Sequence, residues 1–102
     1  MALKKDYLKK KEMCKVRFSL PKEAVPQVKK VSLVGEFNDW STTDTPMKKQ
    51  KDGSFAVSLD LKIGNEYQFR YLLDEETWEN DWAADRYQLD ASTGADNSVV
   101  IV

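Results

Sequence analysis

The chain contains no histidine in its 102 residues. That removes imidazole general-base catalysis, Ser-His-Asp and Cys-His nucleophile systems, and every His-ligated metal site. Its single cysteine, Cys14, excludes an internal disulfide and a multi-cysteine zinc site, and is compatible with a reducing cytosol. Neither a glycine-rich phosphate loop nor a nucleophile motif is present. Long apolar runs are missing too. The longest covers residues 99–102, against the roughly 20 needed to span a bilayer. The basic N-terminus is not followed by the apolar stretch of a signal peptide. None of Asn38, Asn65, Asn80 and Asn97 begins a glycosylation sequon. A soluble, cytoplasmic chain with no membrane partner is expected. Charge of one sign is also absent, with 16 Lys and Arg against 17 Asp and Glu.

What is present can fill one core. Hydrophobic residues make up 41% of the chain, aromatics 11% and charged residues 32%, which excludes wholesale disorder; the length suits a single domain. Charge is unevenly spread: residues 1–17 hold seven basic and two acidic side chains, a balance of +5 that leaves −6 elsewhere for the total of −1. Six of those seven are lysines without aromatic interleaving, so a solvated arm is favoured over a nucleic-acid contact. Residues 1–12 are therefore expected to form a basic, partly ordered arm, and residues 13–102 the domain. Residues 74–90 carry seven carboxylates and one arginine. Their spacing fits no EF-hand, so a solvated acidic loop is expected, with no metal site. Carboxylate pairs there, such as Glu76 with Glu79 or Asp81 with Asp85, lack the burial that would tune one for acid catalysis. No catalytic residue is assigned.

The periodicity is that of strands. Cys14, Val16, Phe18 and Leu20 alternate with polar residues, as do Phe55, Val57, Leu59 and Leu61. In residues 67–73, Tyr67, Phe69, Tyr71 and Leu73 share one face and Gln68, Arg70 and Leu72 the other. Residues 31–34 and 98–102 are short β-branched runs expected to be central strands. Turn signals at Asp52-Gly53, Ile63-Gly64-Asn65 and Ser92-Thr93-Gly94 separate them. Several short strands with regular turns make an all-β, antiparallel β-sandwich.

Three tryptophans stand apart from the apolar runs. Trp40 ends a polar turn after residues 31–34, and Trp78 and Trp82 follow the strand at 67–73 among Asp, Glu, Thr and Asn. Rings held at strand ends suit stacking on flat ligands such as bases or sugar rings. Trp82 is instead expected to lid one end of the sandwich. Parity sets Arg70 on the face away from the core, close to Trp40 and Trp78.

Val34-Gly35-Glu36-Phe37-Asn38-Asp39-Trp40 resembles the G-x-F-N-x-W signature of carbohydrate-binding module family 48. Asp52-Gly53-Ser54-Phe55, then residues 67–74, Trp78, Asp81 and Asn97 follow in family order, so the resemblance covers about residues 13–102. Its members are early-set, immunoglobulin-like sandwiches that precede the barrels of isoamylases and glycogen branching enzymes, and occur in the β-subunit of AMP-activated kinase. The resemblance implies binding of α-1,4-linked glucans, with no cofactor and no catalysis by the module itself. Trp40 and Trp78 match its two stacking tryptophans, Arg70 stands where a lysine bonds sugar hydroxyls, and Asn97 matches an asparagine with that role. Asp74-Glu75-Glu76-Thr77-Trp78 is longer than the usual Asp-Gly-x-Trp, so a displaced second ring is expected. The reading is a monomeric α-glucan-binding module, with a separate glycogen- or starch-acting enzyme as an admissible partner. Its alternative is a protein-interaction or scaffold sandwich without sugar affinity.

Overall fold

A computed structural model describes residues 2–8 and 12–102. Its strands are β1 (Ala2–Leu8), β2 (Met13–Leu20), β3 (Val31–Gly35), β4 (Lys48–Lys49), β5 (Phe55–Lys62), β6 (Glu66–Leu73), β7 (Thr77–Glu79), β8 (Arg86–Asp90) and β9 (Ala95–Ile101). Short 3-10 turns at Lys22–Ala24 and Glu36–Asn38 are the helical elements among the described residues, and no helix there is long and apolar enough to cross a membrane. Two antiparallel sheets, β1-β2-β5-β4 and β3-β6-β9-β8, form the sandwich, with β7 paired to β6.

The expected alternation builds the core. Cys14, Val16, Phe18 and Leu20 of β2 and Phe55 and Leu61 of β5 face Leu33 of β3, Phe69, Tyr71 and Leu73 of β6 and Val100 of β9, all buried. Phe18 meets Phe69 edge-on at 5.1 Å between ring centroids, and Phe69 meets Tyr71 at 5.6 Å, a geometry that adds about 1 kcal/mol per pair to area burial. Burial pushes the Cys14 thiol above its ordinary pKa, so it behaves as a small hydrophobe.

Three placements differ from the sequence expectations. Residues 2–8, within the expected partly ordered arm, pair with β2 along Leu3↔Phe18, Lys5↔Val16 and Tyr7↔Cys14. Lys5 thus sits in register with core-facing residues and meets Asp85 at 2.7 Å. An inward charge on an edge strand discourages a further strand from adding there. The run of lysines at 9–11 lies outside the described residues. β9 is central as expected, but β3 ends its sheet. Its outer edge is covered by residues 45–47, where the Leu33 amide donates to the Thr45 carbonyl and the Met47 amide to that of Val31.

The third difference is the acidic segment, which is no solvated loop. It contains β7 and β8, and Asp81 within it is fully buried. Tyr71 donates to Asp81 Oδ2 at 2.7 Å and the Ala83 amide to Oδ1 at 2.8 Å, while the Asp81 amide donates to Ser98 Oγ. Donors on both oxygens are what make burial of that carboxyl tolerable. Burial, and then the Asp81 charge, holds the Tyr71 phenol well above its ordinary pKa, so it stays a donor.

Candidate functional site

The turn after β3 shows why each motif residue is what it is. An added Cβ on Gly35 would lie 2.6 Å from the Gln68 carbonyl oxygen and 2.8 Å from Phe69 Cβ, so only glycine lets β3 end against β6. Phe37 packs its ring between Phe18 and Tyr67, at 5.7 and 6.2 Å. Asn38 ties the turn down. Its Oδ1 accepts from the Gly35 amide at 3.1 Å, and its Nδ2 donates to the Leu33 carbonyl at 2.9 Å and Thr45 Oγ1 at 3.0 Å. Glu36 accepts from the Gln68 amide at 2.6 Å, joining the turn to β6. Asp39 and Trp40 follow in left-handed conformation, φ 55° and 59°, which turns the Trp40 ring away from the core and leaves it 40% exposed.

Trp78 arrives from the other end of β6. The β6–β7 hairpin turns on Asp74 and Glu75, both with positive φ, and the Glu76 amide donates to the Leu73 carbonyl. Asp74 Oδ1 accepts from the Lys29 and Lys30 amides at 2.9 Å each, and these hold its carboxyl below the ordinary range. Trp78 pairs with Leu72 across the hairpin. Cross-strand partners share a sheet face, so Trp78 stands on the outer face with Arg70 and is 46% exposed.

Between the rings lies a polar chain. β6 pairs with β9 up to Phe69 and with β7 from Tyr71, which sets Arg70 at the junction. Arg70 Nε donates to Asn97 Oδ1 at 2.6 Å, and Asn97 Nδ2 donates to Gln68 Oε1 at 2.9 Å. Asn97 is nearly buried at 2% exposure. Its amide thus fixes the Arg70 guanidinium, and its side chain also acts on the Asp90 carboxyl.

All four residues singled out in the sequence, Trp40, Arg70, Trp78 and Asn97, line one open groove of about 340 Å³, together with Val34, Thr42, Asp90 and Thr93. Trp82 is elsewhere and more exposed than either, at 61%, so it forms no lid. Thr42, and Asp90 at the end of β8, carried no sequence signal. The Ser92 hydroxyl, and then its amide, hold the Asp90 carboxyl below its ordinary pKa; the Arg70 charge adds to this. Asp90 is the one carboxylate in the lining, so the groove offers no acid/base pair. No group of three or more His, Cys, Asp or Glu is placed to hold a metal among the described residues.

The sandwich presents two half-exposed indoles beside a prearranged Arg-Asn-Gln chain, an arrangement found in binding modules. The sequence agrees: the family model for carbohydrate-binding module 48, the isoamylase N-terminal domain, matches residues 15–91, and the chain belongs to this family of non-catalytic carbohydrate-binding modules. It is also 42% identical over 43 residues to a 1,4-alpha-glucan-branching enzyme of Rhizophagus irregularis. That match covers 42% of this chain and 6% of the enzyme's length.

Proposed function

We propose that the module binds α-1,4-linked glucans of the glycogen and starch type, with glucose rings on Trp40 and Trp78 and hydroxyls bonded to Arg70 and Asn97. The observation that carries this reading is the convergence of those four side chains on one groove. Indole faces suit the C–H faces of glucose rings. Only Nε of Arg70 is engaged by Asn97, so its terminal amino groups remain to donate to hydroxyls. In this role the module holds glucan for a glycogen- or starch-acting enzyme, a reading supported by its similarity to a branching enzyme.

Two stackings at about 1 kcal/mol each and a few water-competing hydrogen bonds at about 1 kcal/mol each act against the cost of immobilising the sugar. A dissociation constant between ~1 mM and ~10 µM follows. The test is a titration with maltoheptaose or β-cyclodextrin that follows the indole N–H resonances. Trp40 and Trp78 should move and Trp82 should not. Trp40→Ala should abolish binding while thermal stability stays within a few degrees. Three unmoved indoles at millimolar ligand would refute sugar binding and leave the protein-interaction sandwich in its place.

A further inference from the structure

Beside the sugar groove lies a second one of about 360 Å³, and Thr42 borders both. Its character is different. Lys29, Lys30 and Lys49 line it with the hydroxyls of Ser32, Thr42 and Thr43, against a single lining carboxylate, Glu75. Glu75 reaches Lys30 at 3.4 Å, with both side chains over 70% exposed, so the pair is loose and water-screened. Lys29 and Lys49 are in no ion pair among the described residues. Asp74 lies close by, its Oδ1 accepting from the backbone amides of Lys29 and Lys30 while its charge acts on both lysines, which leaves three lysines against two carboxylates. A net cationic groove is a local reversal, because residues 18–102 carry −6 in all.

We propose that this second groove receives the phosphate monoester of a phosphorylated α-glucan whose neighbouring glucose units occupy the Trp40–Trp78 groove. The inference rests on the sugar-binding reading above. Ammonium groups act as point charges toward phosphate, and hydroxyls donate to the remaining ester oxygens. Because Thr42 lines both, the two grooves adjoin there, within reach of neighbouring units of one chain. An exposed, solvated cluster gives a modest increment: two lysines at surface strength raise affinity about fivefold to tenfold over the neutral sugar at low salt.

The experiment titrates the full chain with maltoheptaose, with maltoheptaose bearing one 6-phosphate, and with inorganic phosphate. Tighter binding of the phosphorylated sugar is expected, fading as ionic strength rises from about 0.05 to 0.5 M. The double variant Lys29→Gln/Lys49→Gln should bind both sugars equally and keep the affinity for neutral maltoheptaose, since Asp74 uses backbone amides and not these side chains. Equal affinity of the unmodified protein for both sugars overturns the inference and leaves sugar binding intact. A preference that survives the double substitution overturns it too. Inorganic phosphate bound as tightly as the phosphorylated sugar shows a free-anion site instead. If neither sugar binds, the sugar-binding reading fails and takes this one with it.

Discussion

Asn38→Ala tests whether the turn that carries Trp40 is held by one amide. The side chain makes three hydrogen bonds, to the Gly35 amide, the Leu33 carbonyl and Thr45 Oγ1, all between 2.9 and 3.1 Å. At about 1 kcal/mol net for each, their loss costs about 3 kcal/mol. In a domain of this size 1 kcal/mol moves the midpoint by roughly 4–8 °C, so a fall of about 12–24 °C is expected by circular dichroism or calorimetry. The same turn sets Trp40, whose amide donates to the Gly35 carbonyl at 2.8 Å. Binding of maltoheptaose should therefore weaken even well below the lowered midpoint. Asn38→Asp keeps the acceptor for Gly35 but sets a carboxylate oxygen against the Leu33 carbonyl where Nδ2 donated, so it should rescue little of the loss. A midpoint within about 2 °C of the parent for Asn38→Ala would refute the reasoning, because it would mean that Phe37 packing alone fixes the turn.

Gly35→Ala should destabilise by about 1–3 kcal/mol, read as a lower denaturant midpoint, since its Cβ would meet the Gln68 backbone oxygen at 2.6 Å; an unchanged midpoint would show that β3 and β6 can separate freely. Tyr71→Phe removes the donor to buried Asp81 and should cost about 1–3 kcal/mol, and a neutral effect would mean that water fills the gap. The Asp74 carboxyl is held below its ordinary value of 3.8 by the Lys30 and Lys29 amides. A depressed carboxylate adds stability above its unfolded pKa and loses it as pH falls through the folded one. Thermal midpoints measured between about pH 6 and pH 2 should therefore drop below about pH 4 more steeply in the parent than in Asp74→Asn; parallel curves would contradict this.

The sequence announces those strands that bury one face. β2 alternates along its length, and β5 and β6 along most of theirs, because one side of each meets the core. β8 has four exposed residues before Asp90, and an edge strand uncovered on both faces leaves no periodic trace. β1 is hidden for another reason: its core-facing position Lys5 is charged and is matched only by Asp85, 80 residues away. β4 and β7 are two and three residues long, too short for a period. The site divides in the same way. Trp40 and Trp78 are visible because large aromatics in polar surroundings are conspicuous, and Arg70 because parity aims it outward. Asp90 ends β8, which shows no period, and Thr42 lies in the irregular segment after Trp40, so nothing local marks either. The buried Asp81 was hidden by its acidic neighbours, since its donor Tyr71 belongs to another strand.

The geometry around Trp40 also explains why the motif needs more than its ring. Asp39 and Trp40 are successive non-glycine residues with positive φ, each disfavoured by about 1–2 kcal/mol. Such strain persists only where the surroundings over-determine it. Here Phe37 is locked among Phe18, Tyr67 and Phe69, and Asn38 bonds three groups on two segments. Arg70 is treated alike, held by Asn97, which is in turn held by Gln68. A ligand that contributes only about 4–7 kcal/mol cannot also order a loop and a long side chain, which would cost about 0.5–1.5 kcal/mol for each rotamer-rich group fixed. The ordering therefore has to come from folding. That places Gly35, Phe37 and Asn38 in the core's energetics and leaves Trp40 free to be exposed, so Trp40→Ala should change affinity with little change in stability, whereas Asn38→Ala should change stability and, through the placing of Trp40, affinity as well.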